Sequence, residues 1–299
     1  MFQKLSYAII GGDTRQIYLL LKLMESGASC ISYGLSKEEM QHIFCRSSCG
    51  YKGCKRATSP AEAVTSAKCI LGPIPLCQDG YINSKERLKA SELLNLMQSG
   101  QSLFAGCIDA SLKNQLEQKG ICCWDYMKAE EISLYNSIAT AEGILAEAIT
   151  SYPYNLHKSK CLVIGYGRCG KTLADKLKGL GTSVTICARK SEVLSYADCL
   201  GYEGIHTESL KDLIHDYDLI FNTVPHLLLT SKILRKVSAH SHIYDLASKP
   251  GGVDWLAAKN LGLHAASCLG LPGKYAPAAS ADALYNYIIR TQTDQTSDK

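Results

Sequence analysis

The chain has 299 residues, 46% of them hydrophobic and 20% charged, which is enough for two domains with cores of their own and unlike a disordered chain. Its 32 basic and 28 acidic residues leave a formal charge of +4, spread along the chain without a basic tail or stripe. That balance argues against nucleic acid as a partner and is compatible with a small anionic substrate. The opening MFQKLSYAIIGG has too short an apolar run for a signal peptide. No run approaches the roughly 20 residues of a membrane span, so a cytoplasmic protein without membrane contact is expected. The 14 cysteines are scattered; neither Cys45, Cys49 and Cys54 nor the pair Cys122 and Cys123 has metal-knuckle spacing, and no metal is expected.

In chain order, Tyr7–Ile10 reads as a buried strand, Gly11-Gly12 as a turn, Thr14 to Glu25 as a helix stopped by Gly27, and Cys30 to Tyr33 as the next strand. Cys45 to Pro60 has no clear period and reads as loop with a short helix. Further strands are expected at Lys68 to Leu71, Leu103 to Ala105 and Ile121 to Trp124, with a helix from Asp109 to Lys119 between the last two. From Tyr135 to Tyr152 one apolar face (Ile138, Ala141, Leu145, Ala148, Ile149) predicts a long helix ended by Pro153.

The second half opens with a strand from Cys161 to Ile164, a helix from Cys169 to Leu180 and a strand from Ser183 to Cys187. A helix at Glu192 to Cys199, strands at Leu219 to Asn222 and His242 to Leu246, a helix at Val253 to Lys259 and a strand at Leu263 to Ala266 follow. Ala278 to Ile289 is the terminal helix, and the polar tail TQTDQTSDK reads as frayed.

Gly165-Tyr-Gly167-Arg168-Cys169-Gly170 fits G-x-G-x-x-G, after an apolar strand and at the start of a helix, which is the context a dinucleotide site requires. There the first glycine allows the turn, the second lets a pyrophosphate reach the helix N-terminus, and the third lets helix and strand approach. At the end of the second strand, where NAD sites carry an acid, stand Cys187-Ala188-Arg189-Lys190. With two cations and no carboxylate, NADP is the expected cofactor and NAD the alternative.

Other strand ends supply the remaining candidates. Asn222, Thr223 and Val224 border the expected cofactor, and His226 is a candidate acid or base because an imidazole can both take and give a proton. Ala247 and Ser248, in the Asp245–Gly252 loop, are further candidates for cofactor contact. Leu271, Pro272, Gly273 and Lys274 form a loop expected to approach cofactor or substrate. Gly11, Gly12 and Asp13 are placed to form an anion nest at a helix start, with Asp13 more suited to capping the helix. Arg15 is open to two roles, contact with a substrate carboxylate or a structural ion pair.

Five of these stretches, in order, resemble the family of dipicolinate synthase A-subunits: Gly11-Gly-Asp13-Thr-Arg15-Gln16, Asn136-Ser-Ile-Ala-Thr140-Ala-Glu142-Gly143, Gly165 to Gly170, Asp245 to Gly252, and Gly270-Leu-Pro-Gly273. The resemblance runs from about residue 5 to 290. Lys249 stands where an Arg is common and Cys169 where a Thr is expected. It implies two Rossmann-like α/β domains with parallel sheets, similar to 2-hydroxyacid and alanine dehydrogenases, joined by a long helix, with the last helix returning to the first domain. The expected layout is 1–134 with 276–291 as substrate domain, 135–157 as linking helix, 158–275 as NAD(P) domain and 292–299 as tail. The resemblance further implies oxidation of a small ring dicarboxylate to dipicolinate with a flavoprotein-like dipicolinate synthase B-subunit, in the mother cell of a sporulating bacterium; a homodimer is compatible. On it, Arg15, Lys274 and His226 are the catalytic candidates, and Gly12, Asp13, Arg15, Ser248, Gly273 and Lys274 the substrate-binding ones. Two rivals stay open: a non-redox, dehydratase-like enzyme, and a cofactor-binding regulatory or structural subunit without turnover.

Overall fold

The computed structural model describes residues 6–45 and 55–297, so the expectation for the Cys45–Pro60 segment falls largely outside the described residues. The chain divides into two compact units, one of residues 1–135 and 276–299, the other of 136–275.

Unit 1 holds the strands β1 (Ser6–Ile10), β2 (Ser29–Tyr33), β3 (Lys55–Arg56), β4 (Cys69–Leu71), a hairpin of β5 (Cys77–Gln78) and β6 (Tyr81–Ile82), then β7 (Ser102–Ala105) and β8 (Cys122–Asp125). Its sheet runs β3-β2-β1-β4-β7-β8, with every pairing parallel. Between the strands lie α1 (Thr14–Glu25), α2 (Lys37–Phe44), α3 (Pro60–Thr65), α4 (Ala90–Leu96) and α5 (Ala110–Gln118). Both faces of this sheet are covered, which is why β1 reads as a continuous apolar run. Tyr7 and Ile9 enter one core with Ile17, Leu20 and Phe104, while Ala8 and Ile10 enter the other with Val64, Ile70 and Leu103.

The helix α6 (Glu130–Ser151) leads into the second unit. There β9 (Lys160–Ile164), α7 (Arg168–Gly179), β10 (Ser183–Ala188), α8 (Ser191–Cys199), β11 (Glu203–His206), α9 (Leu210–Leu213), β12 (Leu219–Asn222), α10 (Ser231–Leu234), β13 (His242–Asp245), α11 (Trp255–Asn260), β14 (His264–Ser267) and α12 (Leu271–Tyr275) follow in order. The parallel sheet has the order β11-β10-β9-β12-β13-β14, a doubly wound arrangement that reverses direction at β9 and β12. Again alternate residues of the first strand serve opposite faces: Cys161 and Val163 on one, Leu162 and Ile164 on the other.

The last helix, α13 (Pro277–Ser297), returns to unit 1 and packs on α1. Its Ala281, Leu284 and Ile288 complete the core around Ile17, Leu20 and Tyr126. It also runs past the expected end at Ile289. As far as Ser297 the expected frayed tail is helical, because it has no glycine or proline and because Gln292 accepts a hydrogen bond of 2.6 Å from the Tyr7 hydroxyl. Two further expectations are corrected. The long helix starts at Glu130 rather than Tyr135, with Glu130 and Glu131 suited to its positive first turn. Leu271–Tyr275, expected as a loop, is the helix α12, in which Pro272 occupies a first-turn position that needs no amide.

Candidate active site

The site of unit 2 starts from the turn between β9 and α7. Gly165 has φ +92, and a Cβ there would lie 2.5 Å from the Thr223 hydroxyl oxygen. A Cβ on Gly170 would lie 2.2 Å from the Gly165 carbonyl, so helix and turn touch backbone to backbone. Gly167 is the N-cap of α7, has no side-chain cap, and has open space around it. The first turn of a 12-residue helix is thus presented without a capping side chain, the arrangement that receives a pyrophosphate. Arg168 is exposed in that first turn. Cys169 is half-buried, and burial pushes its thiol up.

At the neighbouring strand end, Ala188 is buried while Arg189 and Lys190 are exposed. Lys190 approaches Glu192 at 3.8 Å, with both side chains mostly in solvent. The Arg189 guanidinium has no ion pair among the described residues. The strand end is held by the His206 ring, 2.7 Å from the Arg189 carbonyl. No carboxylate occupies the position from which a ribose hydroxyl is usually held.

The loops after β12 and β13 are tied together by a residue that sequence reasoning did not single out. Asp245, 2% exposed, accepts from the Asn222 side-chain amide (2.8 Å), the Ala247 amide (3.2 Å) and the Gly252 amide (3.0 Å). Asn222, wholly buried, also donates to the Val224 carbonyl at 3.0 Å. Asn222 and the Ala247 amide, expected to meet the cofactor, are therefore engaged in building the loops. The Thr223 hydroxyl donates to the Ile164 carbonyl at 3.0 Å, which fixes it beside the glycine turn. Ser248 and His226 remain exposed. An acid ending a strand before Ala-Ser-Lys-Pro-Gly-Gly was the available signal for Asp245, since such a loop needs an internal acceptor for its amides.

Unit 1 departs from expectation at its first turn. The Gly11 amide donates to the Tyr33 carbonyl (2.8 Å), the Gly12 amide to the Asn83 carbonyl (2.7 Å) and the Asp13 amide to the Gln16 side chain (3.1 Å). The expected anion nest is closed, because all three of its N–H groups are taken by the protein. Asp13 caps α1 in a reciprocal box with Gln16. Arg15 is 4% exposed; its Nε and Nη2 lie 2.9 and 2.7 Å from the two Asp13 carboxylate oxygens, and Nη2 also donates to the Ile74 carbonyl at 2.8 Å. Of the two roles left open for Arg15, the structural ion pair is the one seen.

The other expected substrate cation is also paired. The Lys274 ammonium lies 2.5 Å from Glu147 of α6, which holds the lysine above and the glutamate below their ordinary ranges. Leu271 is buried, and the Gly273 amide is spent on the Gly270 carbonyl within the helix turn. A Cβ on Gly143 would lie 2.8 Å from the Tyr275 ring and 3.0 Å from Leu271, so α12 seats on α6 through that glycine. Pro272 is half-buried beside them. The expected Leu271–Lys274 binding loop is thus a docking element of unit 2.

The comparisons agree with this architecture. The family profile for the N-terminal domain of the dipicolinate synthase A-subunit matches residues 6–127, and that for the NAD-binding domain of D-isomer specific 2-hydroxyacid dehydrogenases matches 131–240. The dipicolinate synthase A-subunit of Bacillus subtilis (strain 168) is 31% identical over 294 residues, covering 97% of this chain and 96% of the relative. The crystal structure of the dipicolinate synthase A-subunit from Bacillus halodurans superposes with a TM-score of 0.81 at 27% identity, over 97% of this chain and 98% of that one. An L-alanine dehydrogenase shares the fold at a TM-score of 0.59 and 17% identity, over 95% of this chain and 90% of that one.

Proposed function

We propose, from the premise that this chain belongs to the family of dipicolinate synthase A-subunits, that it is the NADP-dependent oxidoreductase component that converts dihydrodipicolinate, or its hydrated precursor, to dipicolinate. Residues 131–240 supply the nicotinamide-binding dehydrogenase domain of an oxidoreductase-type enzyme. In this reading the cofactor is NADP, the substrate a small ring dicarboxylate, the partner a flavoprotein-like B-subunit and the setting a sporulating mother cell.

One observation carries it: an uncapped glycine turn that fits a pyrophosphate stands beside a strand end with two exposed cations and no acid. In this reading the first-turn amides of α7 hold the pyrophosphate, and Arg189 forks onto a 2′-phosphate with Lys190 adding charge. When bound, the nicotinamide supplies a hydride acceptor, and a dihydropyridine that loses a hydride gains aromatic stability. Thr223 holds the loop against the turn through the Ile164 carbonyl, and Asp245 keeps the loops after β12 and β13 in one shape. His226, exposed on the first of these loops, is the proposed proton-transfer residue, and Ser248 a proposed substrate contact.

Two measurements test the reading. Titration with both cofactors should show tighter binding of NADP than NAD in the wild type, with the preference reduced by Arg189→Ala. Equal wild-type affinities defeat the choice of NADP. Absorbance of reduced nicotinamide should then appear on mixing protein, NADP and the dihydro substrate with the B-subunit. No reduced cofactor under any condition defeats the oxidoreductase assignment.

A further inference from the structure

At the carboxyl ends of β2 and β3, unit 1 contains a cavity of about 400 Å³ lined by Tyr33, Lys37, Arg56, Thr58 and Glu86. This is the second-strand end of its sheet, the position that in unit 2 carries Arg189 and Lys190. Arg56 closes β3, and its side chain is only 23% exposed. Among the described residues its Nη1 is enclosed without a hydrogen-bond partner. Its Nη2 has Glu86 at 3.7 Å, too far for a hydrogen bond. A guanidinium offers five donors in a rigid fork, and one drawn out of water with its paired carboxylate beyond hydrogen-bond distance is under-satisfied.

The surrounding groups do not make up the deficit. Glu62 is engaged by the Thr58 hydroxyl (2.9 Å), the Thr58 amide (2.8 Å) and the Lys55 ammonium (3.1 Å). Glu38 accepts from the Ser36 hydroxyl at 3.1 Å at the start of α2. Lys37 is exposed and has no ion pair among the described residues. Tyr33 is pushed up by burial and then by Glu86 and Glu92, so its hydroxyl stays protonated and able to donate. The cavity thus gathers an under-paired guanidinium, an ammonium and a phenol, with Glu86 on its wall and with Glu38 and Glu92 near enough to act on Arg56 and Tyr33. Its volume lies at the small end for ligand cavities, suited to a small organic acid or phosphate ester rather than to a dinucleotide.

We propose that this cavity is an anion subsite of unit 1, which receives the carboxylate or phosphate group of a small molecule on the Arg56 fork, with Lys37 and the Tyr33 hydroxyl beside it. The entering group displaces the long Arg56–Glu86 contact and supplies the acceptors that the guanidinium lacks. The proposal does not rest on hydride transfer, because its test reads binding and not turnover.

Calorimetric titration of the full chain uses two probes separately, pyridine-2,6-dicarboxylate and inorganic phosphate. Lys37→Gln and Arg56→Gln should each weaken the same probe by about tenfold, the loss of one charge-assisted contact. Glu86→Gln should tighten that probe, and NADP affinity should be unaltered in all three variants. Weakening of the dicarboxylate alone supports a carboxylate ligand, and weakening of phosphate alone a phosphate ligand. Lys37 and the half-exposed Glu86 are surface positions whose replacement leaves the fold intact, so their titrations decide the matter even where Arg56→Gln disturbs β3. If neither probe binds the wild type, or if Lys37→Gln and Glu86→Gln leave both affinities unchanged, the subsite does not exist.

Discussion

The two units begin alike and end differently at their first turns. In each, an apolar strand flanked by neighbours on both sides runs into glycines and then into a 12-residue helix. In unit 1 the amides of Gly11, Gly12 and Asp13 are bonded to Tyr33, Asn83 and Gln16, and Asp13 caps the helix. In unit 2 the helix after Gly167 has no side-chain cap. The difference teaches that a strand–glycine–helix unit is a neutral scaffold. Whether it receives an anion depends on what already accepts from its amides.

The comparison is broken most severely at Gly170. Gly170→Ala drives a methyl against the Gly165 carbonyl, where neither backbone can yield cheaply, and should abolish the rise in Tm on adding NADP. A mutant that retains the full thermal shift would show that the turn is not the cofactor's seat. Arg15→Met comes next. It leaves Asp13 and the Ile74 carbonyl without their partner in a mostly buried setting and should lower stability by about 2–3 kcal/mol in denaturant titration, with NADP affinity unchanged. A normal stability with a raised KM for the dicarboxylate would return Arg15 to the substrate.

Arg189→Ala sharpens the contrast from the other side. Losing one charge-assisted contact to phosphate, worth about 1.5–3 kcal/mol, should weaken NADP by roughly ten- to a hundredfold and leave NAD nearly unchanged. The smallest effect is expected at Lys274→Gln, because the lysine of its pair with Glu147 stands mostly in solvent. Lys274 holds the Glu147 carboxyl below its unfolded value, so the pair contributes above the ordinary carboxylate range and is lost as pH falls through the depressed folded value. The Tm difference between wild type and Lys274→Gln should therefore be small at neutral pH and vanish in acid. A constant difference across that range would show that the lysine acts through packing alone.

Legibility in the sequence followed the range of the forces involved. The helix Thr14–Glu25 was readable to both ends because its apolar period, its Asp13 cap and Gly27 are all local. The strands β9, β10, β12 and β13 of the second sheet were readable because both of their faces are buried. The short elements β3, β11, α9 and α10 were not, since two to four residues carry no period. At the site, Gly165 and Gly170 announced themselves through spacing. The closure of the first turn did not, because its acceptors Tyr33 and Asn83 come from distant segments, and no local pattern reports who accepts from an amide. Lys274 shows the same limit: its charge was visible, but its partner Glu147 lies far back in α6.

The return of α13 sets the order in which the protein can be finished on the ribosome. Ala281, Leu284 and Ile288 belong to the core of the unit that is synthesised first, yet they emerge only after every strand of the second sheet. The nascent first sheet therefore waits with the groove along α1 uncovered, while β9 to β14 already have all the strands they need. The dinucleotide unit, whose residues end at Tyr275, can therefore fold without waiting for α13, whereas closure of the older half of the chain cannot.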